Sequence, residues 1–379
     1  MTTTSKEPVI VVLQLSGGND YFNTIIPFND NNYYDNRPSL QIPQEEMLPL
    51  DAEFAMNPSM KALQKLYKDG NLAIIHGVGY ANSPRSHFRS MDIWHTSEPD
   101  KVGTEGWLGR VTRDIDPKSD NPVTAVNIGQ GLPRALVAPG VSVASVADLS
   151  TYGLLTSVQQ KTQREKMLSR FSNMYGAALG SGPVMEYLGQ TGIDAMNGAD
   201  ILKIAPQVYE SSVEYSSSSV ATSLKDIATI HKANLGTRVF YTQHGSFDTH
   251  AAQAPAHAQL WQDVSEAIQD FWDDLNETGH DENVVMFLFS EFGRRVRDNG
   301  SGTDHGAAGV SFVIGPRVNG GMYSQYPETR SEALEQGDLV PNQDFRGVYT
   351  TIIEDWLGLE AAPIVNGTFT SESFIDKLN

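Results

Sequence analysis

Blocks of apolar residues, each followed by a short polar segment, recur along this chain. The clearest block is Val284–Phe289, whose six apolar residues are too few to cross a membrane and are typical of a strand buried on both faces. Similar blocks at Val9–Leu15, Asn71–His76, Arg238–Thr242 and Val310–Ile314 predict further core strands. Segments with apolar residues at three- and four-residue spacing lie between them and predict amphipathic helices. The alternation predicts an α/β fold, with a largely parallel central sheet flanked by helices in a three-layer sandwich.

Capping residues and spacing predict where the main helices lie. One helix is predicted over Ser59–Lys68 and another at the end of the chain over Asp344–Leu357. A long amphipathic helix is expected after Pro255 and should end at Gly279. Ser83-Pro84 has the pattern of a helix start, which would place the following residues in a first helical turn.

The middle of the chain changes from short strands to helices. Three short strands are predicted at Val123–Ile128, Ala135–Ala138 and Val141–Val146, with proline and glycine turns between them. The pattern from Gln159 to Gly236 is mostly helical, and the serine-rich run Ser211–Ser219 should join two helices. Because strong strands resume afterwards, we expect one domain over residues 1–379 with a mostly helical insertion at about 157–236.

Titratable side chains follow four of the predicted core strands. They are Asp20, Ser86 and His87, Asp248 and His250, and Glu291, with Arg294, Asp304 and His305 shortly after the last strand. Because the carboxyl ends of parallel strands lie at one edge of a sheet, these groups are expected to converge there. Each group alone has an ordinary explanation as a helix cap or a loop residue, so the hypothesis depends on their repetition. Carboxylates and imidazoles together would suit one or two divalent cations.

Composition limits the chemistry and the partners. The 27 Lys and Arg residues stand against 46 Asp and Glu residues, a formal net charge of −19, which disfavours nucleic acid and anionic membrane surfaces as partners. No cysteine is present, so disulfides, thiolate nucleophiles and cysteine-ligated zinc are excluded. The sequence as written begins without an apolar leader, which predicts a cytoplasmic protein, or a periplasmic or secreted one if a leader was removed.

Several familiar catalytic motifs do not occur in the sequence. No G-x-S-x-G surrounds Ser86, which disfavours ordinary esterase chemistry even though a serine, a histidine and an aspartate are available. The first glycine turn, Ser16-Gly17-Gly18, lacks the dinucleotide-binding pattern, and no phosphate-binding P-loop sequence occurs.

A series of longer motifs resembles one family over nearly the whole chain. In order, they are LSGGNDYFNTIIP, GVGYANSPRSHF with a later Trp94, GWLGR, TQHGSFDTHAAQ, SEFGRRVRDNGSGTDHG, GGMY and DFRGVY. They resemble the DUF1501 family, which is grouped by similarity with the alkaline phosphatase and sulfatase superfamily. The resemblance implies a single α/β domain with a metal site at the strand ends, and it does not define the activity.

The resemblance also implies roles for individual residues. Asp20 matches the metal-binding acid after the first strand, and Ser86 matches the nucleophile. Asp248 with His250 matches a metal-binding pair, and His305 matches a final histidine ligand. Glu291-Phe292 stands where the superfamily has Asp-His, so one expected imidazole is missing there, and Asp304 is a candidate to compensate. The sulfatase signature C/S-x-P-x-R does not match the spacing of Ser83-Pro84-Arg85, so chemistry of the sulfatase type is not expected.

The sequence hypothesis is a metal-dependent hydrolase of phosphate or related anionic esters. Ser86, His87 and Arg294 are its candidate catalytic residues, with Arg294 or Arg295 binding substrate oxygens. The proposed metal ligands are Asp20, Asp248, His250, Glu291, Asp304 and His305. Zinc is the favoured ion, with manganese, magnesium or calcium as alternatives, and the partner is a small anionic ester. The alternative is a non-catalytic metal- or ligand-binding protein of the same fold, and homo-oligomer formation through the loop after the first strand or the helical insertion stays open.

Overall fold

A mixed β-sheet forms the centre of the protein. The computed structural model describes residues 6–152, 161–176 and 182–377. The strands in chain order are β1 Val9–Leu15, β2 Ile25–Ile26, β3 Leu48–Pro49, β4 Ala55–Met56, β5 Leu72–Gly79, β6 Ala125–Ile128, β7 Val143–Val146, β8 Val239–His244, β9 Val284–Phe289, β10 Gly309–Ile314, β11 Gly321–Tyr323 and β12 Gln343–Asp344. Strands β2, β4 and β3 form a small separate antiparallel sheet, and the others form the central sheet.

The direction of the strands determines which loops meet. The central sheet has the order β11-β5-β10-β9-β1-β8-β6-β7, and β12 also pairs with β5. Strand β1 is parallel to both of its neighbours, β8 and β9, whereas β10 is antiparallel to β5 and β9. The carboxyl ends of β1, β5, β8 and β9 therefore share one edge with the beginning of β10. The loops that carry the titratable side chains all leave from this edge, as the sequence predicts.

Both faces of the sheet are covered by apolar side chains, because β1 is buried along its whole length. Val9, Val11 and Leu13 belong to one hydrophobic cluster, and Ile10 and Val12 belong to the other. Side chains alternate across a strand, so β1 contributes to the core on both sides. Helices pack on each face, and the predicted three-layer α/β sandwich with a largely parallel sheet is confirmed.

Helices lie on both faces of the sheet. They are α1 Asn31–Asn36, α2 Lys61–Lys68, α3 His87–Thr96, α4 Trp107–Ile115, α5 Lys161–Gly176, α6 Pro183–Leu202, α7 Ala205–Val208, α8 Ser219–Lys232, α9 Gln253–Glu277, α10 Phe345–Thr351 and α11 Ala362–Val365. A π-helical turn, Ile352–Trp356, follows α10. Helices α2, α8 and α9 cover one face, and α3, α4, α10 and α11 cover the other.

Most predicted elements are present, and two details of the prediction are wrong. The helix expected to begin at Ser83-Pro84 begins at His87, because Arg85 has a left-handed φ of 55° that interrupts a right-handed helix. The strand predicted at Ala135–Ala138 is instead a 3-10 turn over Arg134–Leu136, closed by a hydrogen bond from the Val137 amide to the Arg134 carbonyl.

The region between β7 and β8 contains helices α5 to α8, joined before α8 by the serine-rich segment. The single domain with an insertion at about 157–236 stays a prediction, and residues 153–160 and 177–181 lie outside the described part of the chain. Within the described ranges, no helix is both long enough and apolar enough to span a membrane.

Candidate metal centre

Three side chains from different loops meet at the carboxyl edge of the sheet. They are His87 at the start of α3, Asp248 after β8 and His305 before β10, and one ligand atom of each lies within 4.8 Å of the others. The Nε2 atoms of the two histidines are 3.0 Å apart. Asp248 Oδ1 lies 3.2 Å from His305 Nε2, and Asp248 Oδ2 lies 3.5 Å from His87 Nε2. Two imidazoles and one carboxylate therefore point into the same small space.

The second nitrogen of each imidazole is held by a hydrogen-bond acceptor. His87 Nδ1 donates to Glu291 Oε1 at 2.8 Å, and His305 Nδ1 donates to the Arg85 carbonyl at 2.9 Å. A carboxylate and a carbonyl can only accept, so each Nδ1 carries a proton and each Nε2 atom faces the cluster.

Facing lone pairs repel unless a positive charge lies between them. A proton on one Nε2, or a bound cation, would relieve the repulsion at the 3.0 Å separation of His87 and His305. Nitrogen and oxygen donors whose orientation is set by outer hydrogen bonds are typical of protein sites for zinc and related divalent ions. The residues present therefore fit the kind of cation that the family resemblance implies.

Glu291 lies behind the cluster rather than within it. Its side chain is 1% exposed, and Oε1 accepts both the His87 ring proton and the Gly17 amide proton at 2.9 Å. Oε2 accepts from the Ser290 hydroxyl at 3.2 Å. Glu291 is not one of the three clustered residues, and these contacts place its carboxylate behind the His87 ring; its role as a metal ligand stays a prediction. Hydrogen bonding to Glu291 raises the pKa of His87, against the opposing effect of burial.

Arg294 also has a different position from the one predicted. It is 2% exposed, and its guanidinium donates to Asp248 Oδ1 at 2.6 Å and to the backbone carbonyls of Gly18 and Thr303 at 2.7 and 2.9 Å. These bonds use the Arg294 guanidinium to support Asp248, and the predicted catalytic role of Arg294 stays a prediction. Burial alone would raise the pKa of Asp248, but the hydrogen bond and charge of Arg294 lower it below its usual value.

Two glycines after β1 allow the loops to approach closely. Gly17 and Gly18 have positive φ values of 125° and 79°. A Cβ atom on Gly18 would lie 2.4 Å from the Phe292 ring, and one on Gly17 would lie 2.3 Å from the Asp248 amide nitrogen. The Phe292 ring packs against both cluster histidines, with a centroid separation of 4.9 Å from each. Phe292 thus forms an apolar wall of the centre, and His87 brings an imidazole from a different loop.

Asp20 is not one of the three clustered residues, and its predicted role as a metal ligand stays a prediction. The carboxylate is completely buried, and its two oxygens accept from the Arg37 guanidinium at 2.5 and 2.8 Å. The Gln253 amide donates to the same carboxylate. Burial by itself would raise the pKa of Asp20, but the neighbouring Arg37 lowers it. Both oxygens are therefore occupied in a buried ion pair.

The remaining predicted residues lie around the cluster. His250 is adjacent to it, with Nδ1 2.9 Å from Asp248 Oδ1, and its side chain is about half exposed. Ser86 is the N-cap residue of α3, and its side chain makes no capping hydrogen bond. Asp304 is exposed and lies outside the three-residue cluster found in the described residues, so the structure does not support it as a ligand.

Sequence reasoning missed the supporting residues Arg37, Gln253 and Arg85. Arg37 comes from an irregular segment with no periodic pattern, and Arg85 acts through its backbone carbonyl, which carries no residue-specific signal. The sequence predicts His87 as a catalytic residue, next to Ser86 in the chain. Its contacts with Glu291 and His305 place its ring in the three-residue cluster.

The fold and the cluster define an α/β protein with two imidazoles and a carboxylate gathered at the carboxyl edge of its sheet. The DUF1501 family, described as proteins of unknown function, matches residues 7–350, so the chain belongs to this family and the resemblance is confirmed. No curated protein is detectably similar in sequence.

Solved structures of several distant proteins are weakly similar to this chain. The PsFucS1 sulfatase from a Pseudoalteromonas species has 12% identity and a TM-score of 0.41, with 99% of this chain and 71% of that chain covered. A Bacteroides thetaiotaomicron structure described for the metabolism of multiple glycosaminoglycans has 8% identity and a TM-score of 0.42, with coverages of 99% and 78%. The lipoteichoic acid synthase LtaP from Listeria monocytogenes has 8% identity and a TM-score of 0.40, with coverages of 95% and 74%. These scores describe a distant likeness, and the fold itself is established by the sheet topology given above.

Proposed function

We propose that this protein is a metal-dependent hydrolase of phosphate or related anionic esters. The observation that carries the proposal is the convergence of two histidine Nε2 lone pairs and one carboxylate, with both Nδ1 atoms already used by Glu291 and Arg85. Such outer hydrogen bonds are typical of histidines that bind a metal. A donor set with two nitrogens favours zinc over magnesium or calcium, which prefer oxygen ligands.

The proposed ligands are His87, Asp248 and His305, with the adjacent His250 as the candidate for a fourth. Glu291 keeps the His87 ring in the tautomer that binds through Nε2, and the Arg85 carbonyl does the same for His305. A bound divalent cation would neutralise charge on the ester oxygens and lower the pKa of an attacking hydroxyl.

Ser86 is the proposed nucleophile. It immediately precedes His87, and its hydroxyl is not used to cap α3. The amino end of this ten-residue helix carries partial positive charge, which favours an anionic substrate group and a developing alkoxide nearby. Attack by the Ser86 oxygen on the ester would displace the alcohol and leave the anionic group on the serine, and water would then release it.

A non-catalytic binding protein is the second candidate, and Phe292 is the observation that favours it. The ring packs on His87 and His305, and Phe292 stands where the resemblance to the superfamily implies an imidazole. A centre with fewer ligands could hold an ion or an anionic ligand without turning it over.

Metal content and hydrolysis should be measured on protein purified without chelator, with aryl phosphates, phosphodiesters and sulfates as substrates. We expect stoichiometric metal in the native protein, loss of metal in His87→Ala and Asp248→Ala, and retained metal without turnover in Ser86→Ala. His280→Ala is the matched control, because His280 lies before β9 at the opposite edge of the sheet.

The outcomes separate the two candidates. Absence of metal, together with absence of turnover after addition of each divalent ion, would refute the hydrolase. Stoichiometric metal and ligand-induced thermal stabilisation without any turnover would establish the binding protein instead.

A further inference from the structure

A cavity lies directly beside the candidate metal centre. Its volume is about 590 Å³, and one wall is formed by the segment 79–85, which continues into Ser86 and His87. The opposite wall is formed by residues of the segment 335–344, and Ala307, two residues after His305, also lines it. The pocket is therefore placed to receive a part of the same molecule whose ester reaches the centre.

One carboxylate in this pocket is buried without its full set of hydrogen bonds. Asp338 is 1% exposed, and its Oδ2 atom accepts from Arg85 Nε at 2.6 Å. Its Oδ1 atom has no hydrogen-bond partner; Arg295 Nε, which also lacks one, faces it in a longer ion pair at 3.7 Å, beyond hydrogen-bonding distance. Burial raises the pKa of Asp338 in spite of the opposing effect of Arg85. A buried acceptor of this kind is costly unless another donor satisfies it.

The other charges of the lining indicate which donor would be accepted. The carboxylates of Glu335, Asp338 and Asp344 line the pocket, whereas Arg85 supplies the cationic side chain of the lining. Arg85 is already bound to Asp338, and Asp344 is occupied by its own bond to Arg346 at 2.7 Å. The excess of acceptors disfavours a second anionic group and favours hydroxyl or amino groups.

We propose that this pocket binds the part of the substrate that is not hydrolysed, a non-anionic group rich in hydrogen-bond donors, and that Asp338 Oδ1 is its principal acceptor. That the bound group belongs to the substrate rests on the proposed hydrolase function. The binding of such a group to the pocket can nevertheless be measured without any hydrolysis.

Arg85 connects the pocket with the metal centre. Its side chain bonds to Asp338 and, at 3.1 Å, to Gln336, while its carbonyl holds the Nδ1 atom of His305. Its left-handed backbone conformation is uncommon for a residue with a side chain and persists because these contacts support it. Occupation of the pocket and orientation of the His305 ligand therefore share one residue.

The test is direct binding of small probes to the protein, measured by saturation-transfer NMR. The probes are methyl glucoside as a hydroxyl-rich molecule, ethanolamine as an amine, and citrate as an anion. We expect glucoside or ethanolamine to bind more tightly than citrate, and the comparison of the two identifies the donor type. Binding should weaken about tenfold in Asp338→Asn, as expected for loss of a charged hydrogen-bond acceptor.

Two further variants make the result independent of folding and of the metal centre. Ala81→Trp should abolish probe binding by filling the pocket without altering Asp338, because Ala81 is an exposed part of the lining. Glu332→Gln, an exposed change outside the lining, should bind as the native protein does. Asp248→Asn should lose metal and keep probe binding, so failure of the hydrolase and failure of the pocket are distinguishable. Tighter binding of citrate, or unchanged binding in both Asp338→Asn and Ala81→Trp, would overturn the proposal.

Discussion

Glu291→Gln tests whether this residue orients a metal ligand or binds the metal itself. The substitution keeps the size of the side chain and removes the negative charge that accepts the His87 Nδ1 proton at 2.8 Å. Charge-assisted hydrogen bonds are roughly twice as strong as neutral ones, so the preferred orientation and basicity of the His87 ring should weaken. Loss of such an outer partner typically lowers metal affinity by about 10- to 100-fold, which corresponds to roughly 1.4–2.7 kcal/mol.

The fold itself should tolerate this change. The glutamine oxygen can still accept from the Gly17 amide, and its amino group faces the Ser290 oxygen, which lies 3.2 Å from Glu291 Oε2. We therefore expect a loss of about 1 kcal/mol in the free energy of unfolding, the usual contribution of one hydrogen bond. Glu282→Gln is the control, since Glu282 is exposed just before the same strand at the opposite edge of the sheet.

The assay is a competition titration of zinc against a chelator, performed on the native protein, Glu291→Gln and His87→Ala. Removal of the ligand in His87→Ala should cost more affinity than removal of its partner. Equal losses in the two variants would mean that Glu291 is itself a ligand, as the sequence alone suggested. Native affinity in Glu291→Gln would refute the orienting role.

Three further predictions concern stability. Arg37→Met should lower the free energy of unfolding by roughly 3–5 kcal/mol in urea titrations, because it leaves the buried Asp20 carboxylate unpaired, and Asp20→Leu in the same chain should restore part of the loss. Burial lowers the pKa of His76 to about 4, below its unfolded value of about 6.5. The contribution of His76 to the free energy of unfolding is therefore complete above pH 6.5 and is lost as pH falls towards 4, a change of about 3 kcal/mol. His76→Gln should remove this change from the pH profile of stability. Gly18→Ala should destabilise the protein by about 2 kcal/mol and weaken metal binding. Gly70 has a similar φ and open space around it, so Gly70→Ala should show only the smaller cost of backbone strain and no effect on metal binding. Equal effects of the two substitutions would contradict the close approach of Gly18 to Phe292.

The agreement between sequence and structure is best for the central strands. Val9–Leu15 and Val284–Phe289 have the predicted bounds, because an uninterrupted apolar run of that length is stable only when both faces are buried. The carboxyl-edge location of the site also follows from the sequence, since the polar loops succeed parallel strands. The start of α3 differs from the prediction because contacts with distant residues maintain the left-handed backbone of Arg85.

The roles of the site residues were less predictable than their location. Asp20 follows a core strand just as Asp248 does, yet Arg37 occupies its two oxygens. Glu291 and Arg294 carry the expected charges, but both are buried and bond to other members of the site. A strand-end position shows that a side chain is near the edge of the sheet. It does not show whether the side chain faces the open centre or a neighbouring loop.

The sequence by itself determined the core strands, the principal helices, the family and the edge at which polar groups collect. These features depend on the order and periodicity of residues within single segments, where burial leaves a regular pattern. Only the tertiary structure decided that His87 meets His305, 218 positions further along the chain, and that Glu291 stands behind them. Distances of about 3 Å between side chains depend on the paths of several irregular loops at once, and no pattern within a single segment records those paths.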